Sequence, residues 1–159
     1  MVKRVTSQEN FRANPEKTLI CLSAIAIGLS AAAMAHSGAT GIIKERMDFF
    51  KRSKDNMKAI NMHLRGGDYR AIVPLAEDIR DWASKMPDYF PQGSDGKPSE
   101  AAPEIWTDFD GFTQAAKDHY AAADTLVSAA KSGDAGDIAK AFKATAATCK
   151  SCHKSYRLK

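Results

Sequence analysis

Two cysteines and a histidine, Cys149, Cys152 and His153, occupy positions i, i+3 and i+4, six residues from the end of the chain. On a helix this spacing puts all three side chains on one face within little more than a turn. Two thioether bonds can then hold one edge of a porphyrin while the imidazole reaches its iron, so Cys149-Lys150-Ser151-Cys152-His153 reads as a c-type haem attachment site. A flat group of that size needs other elements to enclose it. Three other readings compete. A zinc site wants four ligands, and no second Cys or His pair stands at ligand spacing. A thioredoxin-like dithiol belongs near a βαβ pattern, which this chain lacks. A chance match or a plain disulfide stays open, since the only other thiol, Cys21, lies in the N-terminal stretch.

That stretch has the pattern of a secretory leader. Lys3, Arg4, Arg12 and Lys17 precede a nearly uncharged run from Thr18 to Ala35 that closes on Ala33-Met34-Ala35. A basic region, an apolar region and a small-residue ending predict cleavage before His36, dividing the chain into a signal peptide over 1–35 and a domain over 36–159. The alternative is an uncleaved anchor, which would attach the protein to a membrane. Cys21 lies too early in the run for a lipoprotein cysteine. Export agrees with the haem reading, because c-type haem is attached outside the bacterial cytoplasm, and the expected location is the periplasm. Beyond residue 35 the chain carries 19 basic and 17 acidic residues, a balance too even to argue for nucleic acid or an anionic membrane.

Four helical stretches can be read after the leader, with no convincing strand pattern. The first runs from about Gly41 to Leu64, its stripe formed by Ile42, Ile43, Met47, Phe50, Met57, Ile60 and Leu64. Gly66-Gly67-Asp68 ends it and opens a second over about Asp68 to Met86, with Asp68 as N-cap and Pro74 bending or delaying its start. A Pro- and Gly-rich loop spans Pro87 to Ala102. The third helix is expected from Pro103 to Lys131 and the fourth from Asp134 to the end. Four amphipathic helices joined by two short connections and one longer one predict an all-α, antiparallel up-down four-helix bundle, with the haem near the C-terminal helix. Alanines crowd the second half and leave room for a large apolar group.

With the motif on the last of four helices, the chain resembles the class II c-type cytochromes, the cytochrome c′ family. The resemblance covers about Ile42 to Arg157 and rests on Lys44-Glu45-Arg46-Met47, Pro103-Glu104-Ile105-Trp106 and Cys149 to Arg157. It implies one covalent haem c on Cys149 and Cys152, with His153 as the axial iron ligand. It also implies a basic residue, Arg157, beside the proximal pocket, although a C-terminal Arg equally suits the helix dipole. Arg46 matches the family's first-helix arginine near the haem propionates, and Met47 and Glu100 fall where the family approaches the haem edge. Low-spin members place a ligating Met four residues after that arginine. Here the position is Phe50, which cannot ligate iron and is expected to cap the distal face of a five-coordinate iron; Met47, one turn earlier, is the substitute sixth ligand. Trp82 and Trp106 read as core anchors, Trp106 with the option of packing on the porphyrin. His36, His63 and His119 read as surface or satisfied histidines.

The first functional reading is electron transfer in the periplasm, iron cycling between ferric and ferrous states against redox partner proteins. The alternative is a five-coordinate haem module that binds small gases, nitric oxide or carbon monoxide. Enzymatic turnover is the weakest reading, because no acid-base pair can be assigned to the distal side. Homodimers through the first two helices are common among similar proteins, and nothing in the sequence alone establishes one here.

Overall fold

The computed structural model describes residues 38–159; the leader expected over 1–35, with His36, lies outside them. Helix α1 runs Gly41–Gly66, two residues beyond the expected Leu64. Its end is set by Gly67, whose φ of 76° lets its N–H turn back to the His63 carbonyl. Helix α2, Ile72–Lys85, starts four residues later than expected. Asp68 accepts from the Ala71 N–H at 3.3 Å and closes a turn ahead of the helix. Pro74 then falls in the first turn, where its missing N–H leaves nothing unsatisfied. Past Lys85 the chain tightens into a 3₁₀ turn, Met86–Tyr89, before the long loop.

The third helix is two elements, where a single one over Pro103 to Lys131 was expected. A short α3, Glu104–Thr107, stops at Asp108, whose backbone leaves helical geometry at φ −132° and ψ 56°. Helix α4, Phe109–Ser132, then restarts with the Asp108 carboxylate accepting from the Gly111 N–H at 3.2 Å. A Cβ at Gly111 would sit 2.6 Å from the Tyr156 hydroxyl, so glycine is what lets the cap and the C-terminal helix approach here. Asp134 caps α5, Ala135–Tyr156, by accepting from Asp137 N–H at 2.8 Å.

The result is the antiparallel four-helix bundle that the periodicity predicts, with α2 and α5 flanking α4 and α1 against α2. Among the described residues the nearest approach to a strand is an isolated bridge between Ala101 and Arg157. None of the described helices is long and apolar enough to cross a membrane. Buried Ala76, Ala123, Ala130 and Ala141 let the helices close in on one another. Ile60, Ile72, Ile79, Leu126, Val127 and Ile138 fill an aliphatic end of the core. The other end is aromatic, built on Trp82, Met86, Phe90, Ile105 and Phe112. Burying each large side chain is worth about 2–3 kcal/mol, so both ends contribute substantially. The cysteine-histidine motif sits at the aromatic end.

Candidate haem site

The last turns of α5 carry the motif as the spacing predicts. Cys149, Cys152 and His153 all lie within Ala135–Tyr156, and both cysteines are free and half-buried. Burial pushes both thiols up, Cys152 to about 11 with Cys149 adding to the effect. They are therefore protonated thiols at neutral pH, not reactive thiolates. This argues against a dithiol redox role. Among the described residues no group of three or more His, Cys, Asp or Glu could hold a metal ion.

Cys152 packs against the aromatic cluster, together with Phe49, Phe50, Trp106 and Tyr156. Phe50 projects from α1 toward the motif, and its ring lies 6.4 Å from that of His153 at an interplanar angle of 62°. The two rings meet edge-on at the distance of a direct aromatic contact, which places Phe50 beside the imidazole on the side of α5 that carries the attachment residues. Trp82 stands edge-on to Phe50 at 5.3 Å and stacks on Phe49 at 4.6 Å. Its indole N–H and the Ser53 hydroxyl are buried with no hydrogen-bond partner, two orphaned polar groups next to the Phe50 wall. The residues present fit a haem c. Met47, by contrast, is half-buried and outside the cluster that contains Phe50.

The proximal side is held by the C-terminus folding back on the loop before α3. The Ala102 N–H donates to the Tyr156 carbonyl at 3.1 Å and the Leu158 N–H to the Glu100 carbonyl at 2.9 Å. The Arg157 Nε donates to Glu100 at 2.7 Å, so the two residues expected singly near the haem form an ion pair. Partial burial lowers the pKa of His153, and Arg157 lowers it further while Glu100 opposes. The Tyr156 hydroxyl donates to Asp108 at 2.7 Å, which pushes its pKa up to about 12.

Arg46 is 2 % exposed, and the partners it makes are not visible in the sequence. Its guanidinium donates to the Tyr89 carbonyl at 3.2 Å, to Ser94 Oγ at 2.8 Å, to Ser99 Oγ at 2.7 Å and to the Ser94 carbonyl. It also lies 4.4 Å over the Phe90 ring. The arginine thus ties α1 to the long loop that covers the aromatic end. Trp106 is half-buried, its indole N–H shared between the Phe90 and Pro91 carbonyls at 3.0 Å each. Trp82, 2 % exposed, is a core anchor as expected.

Of the two roles expected for His119, surface or satisfied, the structure shows the second. It is 6 % exposed, with Nδ1 2.8 Å from the Thr148 hydroxyl. That hydroxyl donates its one hydrogen to the Thr145 carbonyl at 2.7 Å, so His119 Nδ1 must be the donor in their bond. Burial, with a smaller effect from His153, drives its pKa down to about 4. Its polar run, Lys117-Asp118-His119-Tyr120, gave no sign of this; only packing against α5 buries it. The solitary His63 rests 3.6 Å from Asp68.

Comparison with known proteins agrees with this geometry. The family model described as Cytochrome C' matches residues 41–157. Cytochrome c-556 of Agrobacterium tumefaciens (strain II Chrys) is 33% identical over 122 residues, covering 75% of this chain and 98% of that one. A cytochrome c' described as having an unusual ligand-controlled dimer dissociation superposes with a TM-score of 0.69 at 29% identity, over 74% of this chain and 95% of that one. A ferrous variant of cytochrome c prime from Alcaligenes xylosoxidans with bound NO gives a TM-score of 0.68 at 26% identity, over 74% and 94%.

Proposed function

This chain belongs to the cytochrome c′ family, whose members carry one covalent haem c, and from that premise we propose that it is an exported one-electron carrier of the periplasm. When bound, the haem supplies a ferric/ferrous couple. Cys149 and Cys152 tether it, and His153 holds the iron through one ring nitrogen. Arg157 and Glu100 set the charge around that imidazole, because each shifts its titration in opposite senses. Phe50 and the aromatic wall of Trp82, Phe90 and Phe112 exclude water from the opposite face. A dry, preorganised pocket keeps reorganisation small when the iron changes charge. The observation that carries this reading is the placement of Phe50 beside His153, with the two thiols on the same helix face.

The same pair supports the second reading, an open iron position that takes a small gas. Phe50 has no ligating atom, and Met47 lies outside the Phe50 cluster. A related protein with bound NO shows what a similar fold accommodates. Homodimerisation is part of this second reading, because a related protein couples its ligand to dimer dissociation.

Optical spectra of the haem-loaded protein, ferric and ferrous, with and without carbon monoxide, test both. A high-spin spectrum that shifts with carbon monoxide supports Phe50 over an open iron. Phe50→Met should convert it to a low-spin, carbon monoxide-resistant form. A parent spectrum that is low-spin, indifferent to carbon monoxide and lost in Met47→Ala would overturn the open site and leave electron transfer alone.

A further inference from the structure

The charge of the chain is nearly balanced but unevenly placed. Residues 36–133 carry 13 basic and 15 acidic side chains, whereas residues 134–159 carry six basic and two acidic ones. Both acids of that segment, Asp134 and Asp137, stand at the start of α5, and no acidic residue follows. Lys140, Lys143, Lys150 and Lys154 are all exposed and fall within an arc of about 80° around the helix. That arc faces away from Ile138, Ala141 and Thr145, which are buried in the core.

Several exposed cations elsewhere are paired, Lys44 with Asp48, Lys51 with Asp55, Arg52 with Asp78 and Lys131 with Glu77, and those that are not are scattered over separate elements with acidic residues among them. Among the described residues none of the four α5 lysines makes an ion pair. Like charges three and four residues apart work against a helix. The helix dipole compensates only Lys150 and Lys154, which lie near the C-terminal end. A helix that carries a row of unpaired lysines from Lys140 to Lys154, and that bears the haem attachment residues on its other side, is shaped for a negatively charged partner.

We propose that the Lys140-Lys143-Lys150-Lys154 face of α5 is the docking surface for the acidic face of a soluble redox protein, a proposal that rests on the carrier reading above. Cations arranged on one face raise the encounter rate and orient the partner, and their effect fades as salt screens them. Docking there sets the partner against the helix that bears the cofactor, which shortens the electron path.

The test is a titration of isotope-labelled, haem-loaded protein with oxidised flavodoxin, a strongly acidic soluble probe, at an ionic strength of about 0.01 M, where charges act over about 30 Å. Amide shifts should concentrate on α5, and affinity should fall about tenfold or more on raising the salt to about 0.15 M. Reversing all four lysines to glutamate should cost at least about tenfold in affinity, and replacing them with glutamine should cost less in the same direction. Reversal of Lys51 and Lys54 on α1 should leave affinity within about twofold. Haem and far-ultraviolet spectra establish that each variant is folded. Shifts spread over α1 and α2, or an affinity indifferent to the four lysines, would overturn the docking surface. Capture by phosphatidylglycerol vesicles through these lysines, with no flavodoxin binding, would assign the face to lipid instead. Flavodoxin hydroquinone then serves as donor, giving one electron to ferric iron and becoming the semiquinone. Docking on α5 without reduction would sink the carrier reading, and reduction without α5 docking would sink this one.

Discussion

Replacing Arg46 by methionine probes the contact that binds the long loop to the bundle. Methionine keeps the apolar stem that lies over Phe90 and removes the guanidinium. Four hydrogen bonds disappear, to Tyr89, Ser99 and twice to Ser94. The serine hydroxyls can rotate to other partners, and Ser94 Oγ already reaches the Pro91 carbonyl at 2.8 Å. The Tyr89 and Ser94 carbonyls cannot rotate, and each orphaned acceptor costs about 1–2 kcal/mol. Loss of the cation–π contact adds about 1 kcal/mol. Against this, the variant no longer desolvates a guanidinium, the factor that lowers the Arg46 pKa, and relief of about 1 kcal/mol is reasonable. The net destabilisation is about 3 kcal/mol, which for roughly 120 residues lowers the unfolding midpoint by about 10 °C. Arg46→Lys, a point cation without the planar fork, should lose about half as much.

Thermal unfolding of the haem-loaded protein, followed by circular dichroism, gives the shift; limited proteolysis asks whether the loop between Phe90 and Glu100 becomes the first site cut. A methionine variant within about 0.5 kcal/mol of the parent, with a loop no easier to cut, would refute the reasoning. If stability held while the haem reduction potential moved, the guanidinium would belong to the propionates, as the family resemblance implies.

Three further expectations follow from the same geometry. His119, with a folded pKa of about 4 against an ordinary 6.5, binds its proton less readily when folded. Stability is therefore unaffected by it above about pH 6.5 and falls as the pH drops toward 4, by about 3 kcal/mol in all; His119→Gln should flatten that slope in urea unfolding at stepped pH. Asp108→Ala removes both the α4 cap and the Tyr156 partner, so it should cost about 1–2 kcal/mol, and Tyr156 should titrate near 10 in place of about 12 when followed by ultraviolet absorbance. Single Cys149→Ser and Cys152→Ser variants should each retain a one-bond haem on a denaturing gel, and the double variant should lose it to acidified acetone; haem retained by the double variant would contradict covalent attachment through these sulfurs.

The placing of Cys149, Cys152 and His153 on one helix and the bundle itself were legible in the sequence because each rests on local periodicity. Cysteines at i and i+3 and a histidine at i+4 share a helix face wherever that helix sits, and the apolar stripes of α1, α2, α4 and α5 need no partner to be recognised. Local chemistry also decided Gly67 as a left-handed cap and Asp134 as an N-cap. The break at Asp108 was missed because its cause is split between a short-range cap and the distant Tyr156 hydroxyl. The loop grip of Arg46, the ion pair of Glu100 with Arg157 and the burial of His119 against Thr148 join residues 29 to 57 positions apart. No periodicity encodes such pairs, because each exists only once two elements have been packed and their polar groups must find partners away from water. The 6.4 Å between Phe50 and His153 is of the same kind. Sequence by itself named both rings, and only the closing of α1 against α5 set the distance between them.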